Sequence, residues 1–470
     1  MALPLPLRPL AGRAHSLPPL LDPVIAKFLH VKQHLLQVLT MEYGSPLNLV
    51  WPHCLAQNVK AMRAVLDRHE VRYEIFYGAK VNKSQALVRA AVEAGIGVDV
   101  SSIYEMNDAL RAGLNRVRLC ATGPAKTRAF HEELIARGAL ISVDSVEELA
   151  DLAEYMHSAT TGCAARVLLR YRPTGAPTSR FGMGGDELLQ CLQRLAEPSS
   201  RFAFEGFHFH LGGYDVESRV QALRELTRFV EIARELGLAP RMLDIGGGFP
   251  IRYADAGGYA AFLHGQRAGD YRTGKVPASF YPYGSSMGAC EWLDSFLLAQ
   301  CKEGVSVARY LDDERLTLGL EPGRSLADQA AISVFRITRV KRLAMGDLVI
   351  LVEGSSFSAC ETWFASEFLV DPILVSGRND NATLSTDLPP TSLRAYIAGH
   401  SCLDDDVITN RWLSFDTPPQ AGDLLVYANT AGYQMDLLEN EFHRHPMPRR
   451  VAVTYDAAGM LAVTPDDLME

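Results

Sequence analysis

The strongest constraint on the fold of this 470-residue chain is an alternation of short apolar runs with helical patterns between about residues 46 and 325. Such alternation indicates βα units on a parallel sheet. About eight such units favour a closed (β/α)8 barrel of the TIM type over an open sheet. The candidate strands are 47–51, 73–79, 97–100, 117–121, 140–143, 166–171, 204–210, 242–246 and 316–320.

After residue 325 the pattern changes, because strand-like runs dominate and helical patterns almost vanish. We therefore predict an N-terminal arm and helix (1–43), an α/β barrel (44–325) and a C-terminal β-sheet domain (326–470). The stretch 251–286 is rich in Gly, Tyr, Pro and Ser and is predicted to be a long loop. The candidate strands of the C-terminal domain are 330–342, 347–352, 370–376, 394–398, 423–428 and 450–455.

Composition excludes several classes of function. The formal net charge is −9 without a long basic run, which argues against a nucleic-acid-binding surface. No apolar stretch approaches about 18 residues, and prolines break the N-terminus, so neither a membrane span nor a signal peptide is expected. The eight cysteines stand singly and not at zinc spacing, so we expect free thiols, a cytoplasmic location and no metal site.

Lys80 is the most informative single residue. A strand-like run from Tyr73 ends in Gly78-Ala79, Lys80 follows, and a helical pattern begins at once. Partial desolvation of a lysine at the exit of a buried strand frees its amine as a nucleophile, which suits Schiff-base chemistry with an aldehyde cofactor. Taken alone, the segment also fits a surface lysine that opens a βα loop.

The other predicted strand exits carry polar, charged or glycine residues, and barrel enzymes place their chemistry at this end. Gly246-Gly247-Gly248 suits either anion binding or a tight turn. Arg324 could clamp the same anion or form a structural ion pair with Glu321. At most one of His208 and His210 is expected to face the barrel mouth, the other being a core histidine.

Taken together, these motifs resemble the alanine racemase-fold group of pyridoxal-phosphate enzymes, and within it the ornithine and diaminopimelate decarboxylases. The resemblance extends from about residue 44 to the C-terminus. Eight motifs in the family's order carry it: Tyr77 to Asn82, Gly97 to Glu105, Ser179 to Met183, His208 to Gly213, Leu243 to Pro250, Glu321 to Ser325, Gly399 to Asp406 and Ala431 to Tyr433.

The resemblance implies pyridoxal 5′-phosphate as the cofactor and a role for each matching residue. Lys80 would bind the cofactor as a Schiff base, His210 would stack on its pyridine ring, and Glu321 would bond the ring nitrogen and favour decarboxylation. Asp99, Glu105 and Arg170 would lie near the lysine and the ring, with Glu105 supporting His210. The phosphate would be bound by Gly213, Gly247, Gly248, Arg324 and Tyr433.

Cys402 would protonate the α-carbon, reaching in from the partner subunit, so the resemblance also implies a homodimer with shared active sites. The substrate half departs from the family. Leu403 stands where a polar residue helps to read the substrate's distal end, and one of Asp404, Asp405 and Asp406 could take over that task. Glu353 to Trp363 replaces the usual tyrosine-bearing segment. Gly213 replaces the family's serine, so one phosphate hydroxyl contact is lost.

We therefore expect a decarboxylase that acts at the α-carbon of an amino acid or amino acid derivative other than plain ornithine. Two alternatives remain open at this point. One is an amino acid racemase or epimerase on the same scaffold, and the other is a catalytically silent, cofactor-binding paralogue that regulates a partner.

Overall fold

The computed structural model describes residues 16–158, 164–358, 368–376, 394–415, 417–437, 441–456 and 458–466. The chain divides into two compact units. The barrel unit comprises Leu55–Pro250 and Met287–Leu326. The sheet unit comprises the described residues of Met1–Cys54, Ile251–Ser286 and Ala327–Glu470. These units differ from the predicted boundaries, because the N-terminal region and the 251–286 stretch both join the C-terminal residues.

The elements alternate through the first two thirds of the chain. In chain order the described strands are β1 (Leu47–Val50), β2 (Tyr73–Gly78), β3 (Gly97–Val100), β4 (Leu119–Ala121), β5 (Leu140–Val143), β6 (Ala165–Arg170), β7 (Phe202–His208), β8 (Met242–Asp244), β9 (Gln300–Lys302), β10 (Val305–Ser306), β11 (Thr317–Leu320), β12 (Ala331–Arg342), β13 (Leu348–Val352), β14 (Ile373–Val375), β15 (Arg394–Ala398), β16 (Val407–Ser414), β17 (Leu424–Ala428), β18 (Arg449–Tyr455) and β19 (Leu461–Pro465). The described α-helices are α1 (Pro23–Val31), α2 (Gln33–Tyr43), α3 (Pro52–Arg68), α4 (Gln85–Glu93), α5 (Ile103–Arg111), α6 (Arg128–Arg137), α7 (Val146–Ser158), α8 (Gly185–Leu195), α9 (Val216–Glu235), α10 (Ala256–Gly265), α11 (Ala289–Leu298) and α12 (Val307–Asp313).

Parallel strands close into a barrel in the order β11-β2-β3-β4-β5-β6-β7-β8, which confirms the predicted fold class. The strand register aligns the C-terminal ends. Gly78 pairs with Asp99, Arg170 pairs with His208, and His208 pairs with Asp244. Residues from separate strands are thereby brought to one level at the barrel mouth, where this fold carries its chemistry.

An apolar cluster fills the barrel toward the N-terminal ends of the strands. Its members are Phe76, Cys120, Leu140, Leu168 and Met242, all buried. Phe76, Leu168 and Met242 lie two positions before Gly78, Arg170 and Asp244, respectively. Each pair therefore shares the inward face of its strand. The floor is therefore apolar, and the polar inward positions are concentrated at the mouth.

Side-chain caps start the helices soon after the strand ends. Ser84 accepts a hydrogen bond from the Leu87 N–H, and Ser102 accepts one from the Glu105 N–H. Thr127 does the same for the Phe130 N–H at the start of α6. Such caps satisfy amides that have no partner within the helix, so they fix where each strand-to-helix loop ends.

The sheet unit is built on a mixed sheet in the order β16-β15-β13-β12-β1-β18-β19, with β17 pairing with β12 and β14. Strand β1 is antiparallel to β12 and parallel to β18. The assignment of 47–51 to the barrel domain is therefore wrong. All four residues of β1 are buried, and such a short run looks the same in a barrel and in the middle of a sheet.

Two further predictions change in this unit. The stretch 251–286 is not a plain loop, since it contains α10 and belongs to the sheet unit. The predicted N-terminal helix forms as α1 and α2. Residues 1–15 of the arm and 359–363 of the replaced segment lie outside the described residues. No helix in the described ranges is long and apolar enough to span a membrane.

Candidate active site

Lys80 lies just beyond β2, in a single 3-10 turn over Ala79–Val81. Its Nζ atom lies 3.3 Å from Oδ2 of Asp99, and its side chain is 41% exposed. The lysine is therefore less desolvated than predicted, because its side chain extends into the open mouth of the barrel. Asp99 is buried and also accepts a hydrogen bond of 2.8 Å from the Thr122 hydroxyl, which fixes the carboxylate that orients the amine.

Glu321 and Asp244 join Asp99 in a buried acidic group. Burial, followed by the charges of Asp99 and Asp244, raises the pKa of the Glu321 carboxyl well above its ordinary value. Burial also raises the pKa of Asp244 to about 7, although the Gly246 N–H bonds its Oδ1 at 2.8 Å. Neighbouring carboxyls in a low-dielectric site resist ionising together, so Asp244 and Glu321 hold their protons to higher pH than exposed carboxyls do.

His208 and His210 both lie on the inward side of the barrel. The His208 Nε2 atom lies 3.6 Å from Oε1 of Glu321, and the His208 Nδ1 atom lies 2.7 Å from the Ser142 hydroxyl. The His210 Nδ1 atom accepts a hydrogen bond of 3.1 Å from the Gly247 N–H. His208 is fully buried between Ser142 and Glu321, as expected of the core histidine, whereas His210 is half-buried and lies two residues beyond the end of β7.

Both imidazoles are neutral at physiological pH. Burial comes first among the causes that lower the pKa of His208 well below its ordinary value, and the charge of Arg170 follows. Burial and the charge of Lys80 act in the same way on the pKa of His210. A neutral imidazole can carry a proton on one nitrogen and accept a hydrogen bond at the other, as His210 does with Gly247.

The Arg170 side chain is held in place by two groups. Its Nη1 atom donates to Oδ1 of Asp144 at 2.8 Å, and its guanidinium lies 4.6 Å from the centroid of the Phe181 ring. The Gly182 N–H bonds the second Asp144 oxygen at 3.1 Å. The Ser179–Met183 motif thus meets the arginine at the end of β6, as one side of the mouth.

Asp144 is itself supported by a buried ion pair that the sequence did not reveal. Glu148 Oε2 accepts the Asp144 N–H at 2.7 Å, and its Oε1 accepts from Lys126 at 2.9 Å. The Lys126 side chain is only 1% exposed. Lys126 follows a predicted strand like the other exits, and that position was its only signal.

Two glycines after β8 have steric reasons to be glycine. A Cβ on Gly247 would lie 2.5 Å from the Glu321 carbonyl oxygen. A Cβ on Gly248, where φ is +79°, would lie 2.3 Å from Nη2 of Arg219. The main chain can approach a ligand closely here only because both side chains are absent. Gly213, in the neighbouring loop, also has a positive φ of 76°.

Glu105 and Arg324 complete the predicted set in the barrel unit. The Glu105 carboxylate accepts the Ser101 N–H at 2.6 Å rather than contacting His210, and burial raises the pKa of that carboxyl. Arg324 is 6% exposed and directly follows the Glu321-Pro322-Gly323 turn.

In the sheet unit, Cys402 lies on the loop between β15 and β16. Asp406 fastens that loop, because its Oδ1 accepts the Ser356 N–H at 2.7 Å and its Oδ2 accepts the Ser401 N–H at 3.0 Å. The Cys402 N–H donates to Nε2 of His443 at 3.2 Å, and the thiol is free and exposed. The main chain around the cysteine is thus fixed while its side chain is accessible.

The remaining predicted residues of this unit differ in exposure. Leu403, directly after the cysteine, is 47% exposed. Asp404 is exposed, whereas Asp406 is 3% exposed and has both oxygens engaged. Tyr433 lies in the turn after β17 with a positive φ of 75°.

Two further residues of the barrel unit, Asp244 and Arg219, contact the loops and carboxyls at the mouth. Asp244 lies inside the quoted Leu243–Pro250 motif, so its position was available although no role was given to it. Arg219 occurs on α9, whose charged pattern looks like that of a solvent-facing helix, yet its side chain is fully buried. Its burial depends on the loops that fold over it, which the local pattern does not encode.

Comparison with known proteins agrees with this geometry. Residues 54–267 match the family described as pyridoxal-dependent decarboxylase, pyridoxal binding domain. The chain is 57% identical over 458 residues to the uncharacterized protein y4yA of Sinorhizobium fredii, covering 97% of this chain and 98% of that protein. It is 25% identical over 435 residues to the diaminopimelate decarboxylase of Bacillus methanolicus, covering 88% and 89% respectively.

Solved structures share the fold at lower identity. The diaminopimelate decarboxylase from M. jannaschii, in complex with L-lysine, aligns with a TM-score of 0.70 at 19% identity and covers 91% of each chain. The lysine/ornithine decarboxylase from Vibrio vulnificus, complexed with putrescine, aligns with a TM-score of 0.66 at 18% identity and covers 89% of this chain and 97% of that one.

Proposed function

The chain belongs to the pyridoxal-dependent decarboxylases, and on that premise we propose that it removes the α-carboxyl group of an amino acid whose distal end differs from that of ornithine. The observation that carries the decarboxylase chemistry is the buried Glu321 carboxyl. Its Oε1 has no hydrogen-bond donor among the described residues and lies 3.6 Å from the neutral His208 ring. That oxygen is an acceptor inside the mouth, and a ligand N–H would satisfy it.

The residues of the barrel unit fit pyridoxal 5′-phosphate. Lys80 offers an amine that would hold the aldehyde carbon, Glu321 Oε1 would meet the ring nitrogen, and the loop at Gly247 and Gly248 leaves room for the phosphate. When bound, the cofactor supplies an electron sink for the carbanion that is left when CO2 departs. The fit depends on side chains from several strands that face one mouth.

Glu321 would govern the protonation of the ring nitrogen. Since burial and the charges of Asp99 and Asp244 raise the pKa of its carboxyl well above the ordinary value, this carboxyl holds a proton more readily than an exposed glutamic acid does. A proton shared between the carboxyl and a basic nitrogen leaves a charge-assisted hydrogen bond, which is stronger than a neutral one. His208 would stay neutral beside this pair and would not compete for the proton.

His210 and Arg170 would orient what binds at the mouth. Gly247 fixes the tilt of the His210 ring through Nδ1, and Asp144 with Phe181 fixes the Arg170 guanidinium. Preorganised groups act without rearranging during the reaction, which is the main source of electrostatic catalysis. The ring stack expected of His210 stays a proposal that depends on this orientation.

Cys402 would return a proton to the α-carbon, in an active site completed by a second copy of the chain. Support comes from its exposed thiol on a loop that Asp406 and His443 hold in shape. A fixed backbone with an accessible side chain is the arrangement that a proton donor to a neighbouring site requires. Two-fold pairing would give two equivalent shared sites.

The apolar Leu403 supports a substrate other than ornithine. It is exposed directly beside Cys402, and the neighbouring carboxylate of Asp406 is occupied by main-chain amides. A distal ammonium group would find no fixed counter-charge at either position. Asp404 remains accessible and could contact a polar distal group.

We further propose that the protein works in a reducing compartment, the cytoplasm. The cysteines in the described ranges are free thiols, and several of them are buried. Free buried thiols are typical of cytoplasmic proteins, because disulfides form in oxidising compartments.

The experiment is a decarboxylation screen of the holoenzyme over basic, dicarboxylic and N-acylated diamino acids, read by mass spectrometry. We expect CO2 loss from an acidic, acylated or apolar-ended substrate in preference to ornithine. Leu403→Asp should shift preference toward basic substrates. Efficient turnover of ornithine by the wild type would contradict the substrate proposal, and an unchanged preference in L403D would remove Leu403 from it.

A further inference from the structure

Arg219, in the first turn of α9, is fully buried. Its Nη2 atom donates to the main-chain carbonyl of Leu211 at 2.6 Å and to those of Gly247 and Gly248 at 3.3 Å each. The first carbonyl belongs to the loop after β7 and the other two to the loop after β8. One guanidinium therefore ties together the two loops that carry Gly213 and the glycine run.

Within the described part of the chain no carboxylate oxygen forms a hydrogen bond or an ion pair with Arg219, although the Asp215 charge acts on it at longer range. The Asp215 side chain caps α9 by accepting the Ser218 N–H at 2.8 Å. The only hydrogen bond from Arg219 to Asp215 goes to the main-chain carbonyl, at 3.4 Å. The Trp292 ring lies 5.3 Å from the guanidinium, and the Arg219 Nε atom has no hydrogen-bond partner. A buried guanidinium that only carbonyl groups contact directly is less stable than one paired with a carboxylate, and an anionic ligand nearby would stabilise it.

The contacts of Arg219 also set the direction of the main-chain amides. In a planar trans peptide, the C=O of one residue and the N–H of the next point in opposite directions. Because the carbonyls of Leu211, Gly247 and Gly248 turn toward Arg219, the N–H groups of Gly212, Gly248 and Phe249 turn away from it. None of these three amides finds an acceptor among the described residues. Amides that point the same way form anion-binding concavities.

We propose that Arg219 is a positioning residue for the phosphate of the cofactor: it shapes the amide cradle from behind and supplies the positive charge that the phosphate neutralises. This rests on the proposed function, since it takes the barrel mouth as the cofactor site. It also accounts for Gly213, where the family's serine hydroxyl is absent. The lost hydroxyl contact is replaced by charge behind the loop.

Burial lowers the pKa of Arg219 to about 10, with the Asp215 charge acting in the opposite direction. The guanidinium therefore stays protonated at neutral pH and can interact with a phosphate dianion. Arg219 acts on the ligand only by positioning the two loops and by its positive electrostatic potential. Its removal should therefore weaken the binding of phosphate-bearing ligands selectively.

The test compares pyridoxal 5′-phosphate with pyridoxal, which lacks the phosphate. Cofactor-free wild type, Arg219→Met, Arg219→Lys and the control Arg224→Met are titrated with each ligand, and binding is read from the aldehyde absorbance. Arg224 lies on the same helix but is 35% exposed and pairs with Glu217. Circular dichroism monitors the fold of each variant.

We expect R219M to raise the Kd for pyridoxal 5′-phosphate about 10- to 100-fold while that for pyridoxal changes about twofold or less. R219K keeps the positive charge but loses the planar set of guanidinium N–H donors. We therefore expect a smaller loss of affinity that is still selective for pyridoxal 5′-phosphate. R224M should match the wild type. Inorganic phosphate should compete with the cofactor more weakly in R219M than in the wild type.

Two results would overturn the inference: equal weakening of both ligands, which would mark Arg219 as general fold support, or unchanged cofactor binding in R219M. If R219M does not fold, the ratio of the two ligands in R219K decides by the same criteria. Failure of the wild type to bind either aldehyde would instead contradict the cofactor site itself.

Discussion

The Nζ atom of Lys80 lies 3.3 Å from Oδ2 of Asp99, whose carboxylate is buried at the end of the neighbouring barrel strand. The Thr122 hydroxyl donates to the same carboxylate at 2.8 Å and so helps to hold it in place. The amine is therefore directed at the barrel mouth before any ligand arrives.

Lys80→Ala should abolish covalent attachment of the cofactor. Borohydride reduction of the wild-type holoenzyme should add the mass of the reduced cofactor to one peptide, the one that contains Lys80. Lys83→Ala is the matched control, because Lys83 is exposed three residues further along the same segment. A labelled peptide in K80A would show that another lysine is the attachment site.

The cofactor-free protein should lose stability as pH rises toward 7. The pKa of Asp244 is raised by burial from 3.8 to about 7, so the folded state binds more protons than the unfolded state between those values. Stability then falls with rising pH, by up to about 1.4 kcal/mol per pH unit for one such group. Urea unfolding from pH 5 to 7 should show a flatter curve for Asp244→Asn than for the wild type.

The exposed Asp186 on α8 provides a control for that experiment. Asp186→Asn should leave the pH dependence of the free energy of unfolding as it is in the wild type. Parallel curves for D244N and the wild type would contradict the raised pKa.

Asp406 should matter more for stability than its neighbour Asp405. The Asp406 carboxylate accepts two main-chain amides and is 3% exposed, whereas the Asp405 side chain is 99% exposed. Removing this buried acceptor leaves the Ser356 and Ser401 N–H groups without partners. Asp406→Ala should therefore lower the free energy of unfolding by about 2 kcal/mol or more. Asp405→Ala should change it by about 0.5 kcal/mol or less, as is usual for surface sites. Equal effects in thermal or urea unfolding would contradict the fastening role.

A shared active site predicts rescue between two inactive variants. If Cys402 of one subunit serves the Lys80 of the other, random pairing of K80A with Cys402→Ala yields about one intact site in four, hence about a quarter of wild-type activity. Each variant alone should show little product formation. No rescue on mixing, with both variants folded and paired, would mean that Cys402 serves its own subunit or no site.

Much of the barrel could be predicted because each strand ends in residues that its pattern does not require for packing. Lys80, Arg170 and Glu321 all stand directly after a buried run, and the strand register then brings such ends to one level. The positions of the strands thus followed from local sequence, and closure followed from their number.

The residues that were missed depend on contacts between distant segments. Strand β1 joins the sheet unit because its partners are β12 and β18, far along the chain. Strand β16 was not predicted at all, since Thr409, Asn410 and Arg411 give it a polar sequence. Arg411 is nevertheless buried and pairs with Asp371, a contact that no local pattern reveals.

The most direct test of decarboxylation follows the fate of the α-carbon and of the carboxyl carbon in one experiment. The holoenzyme is incubated in D2O with a mixture of amino acids labelled with carbon-13 at the carboxyl group, and products are read by mass spectrometry. We expect the wild type to form labelled CO2 and an amine that carries one deuteron at the former α-carbon. K80A should form neither product. An amino acid that keeps its labelled carboxyl group and gains an α-deuteron would contradict decarboxylation and indicate a racemase.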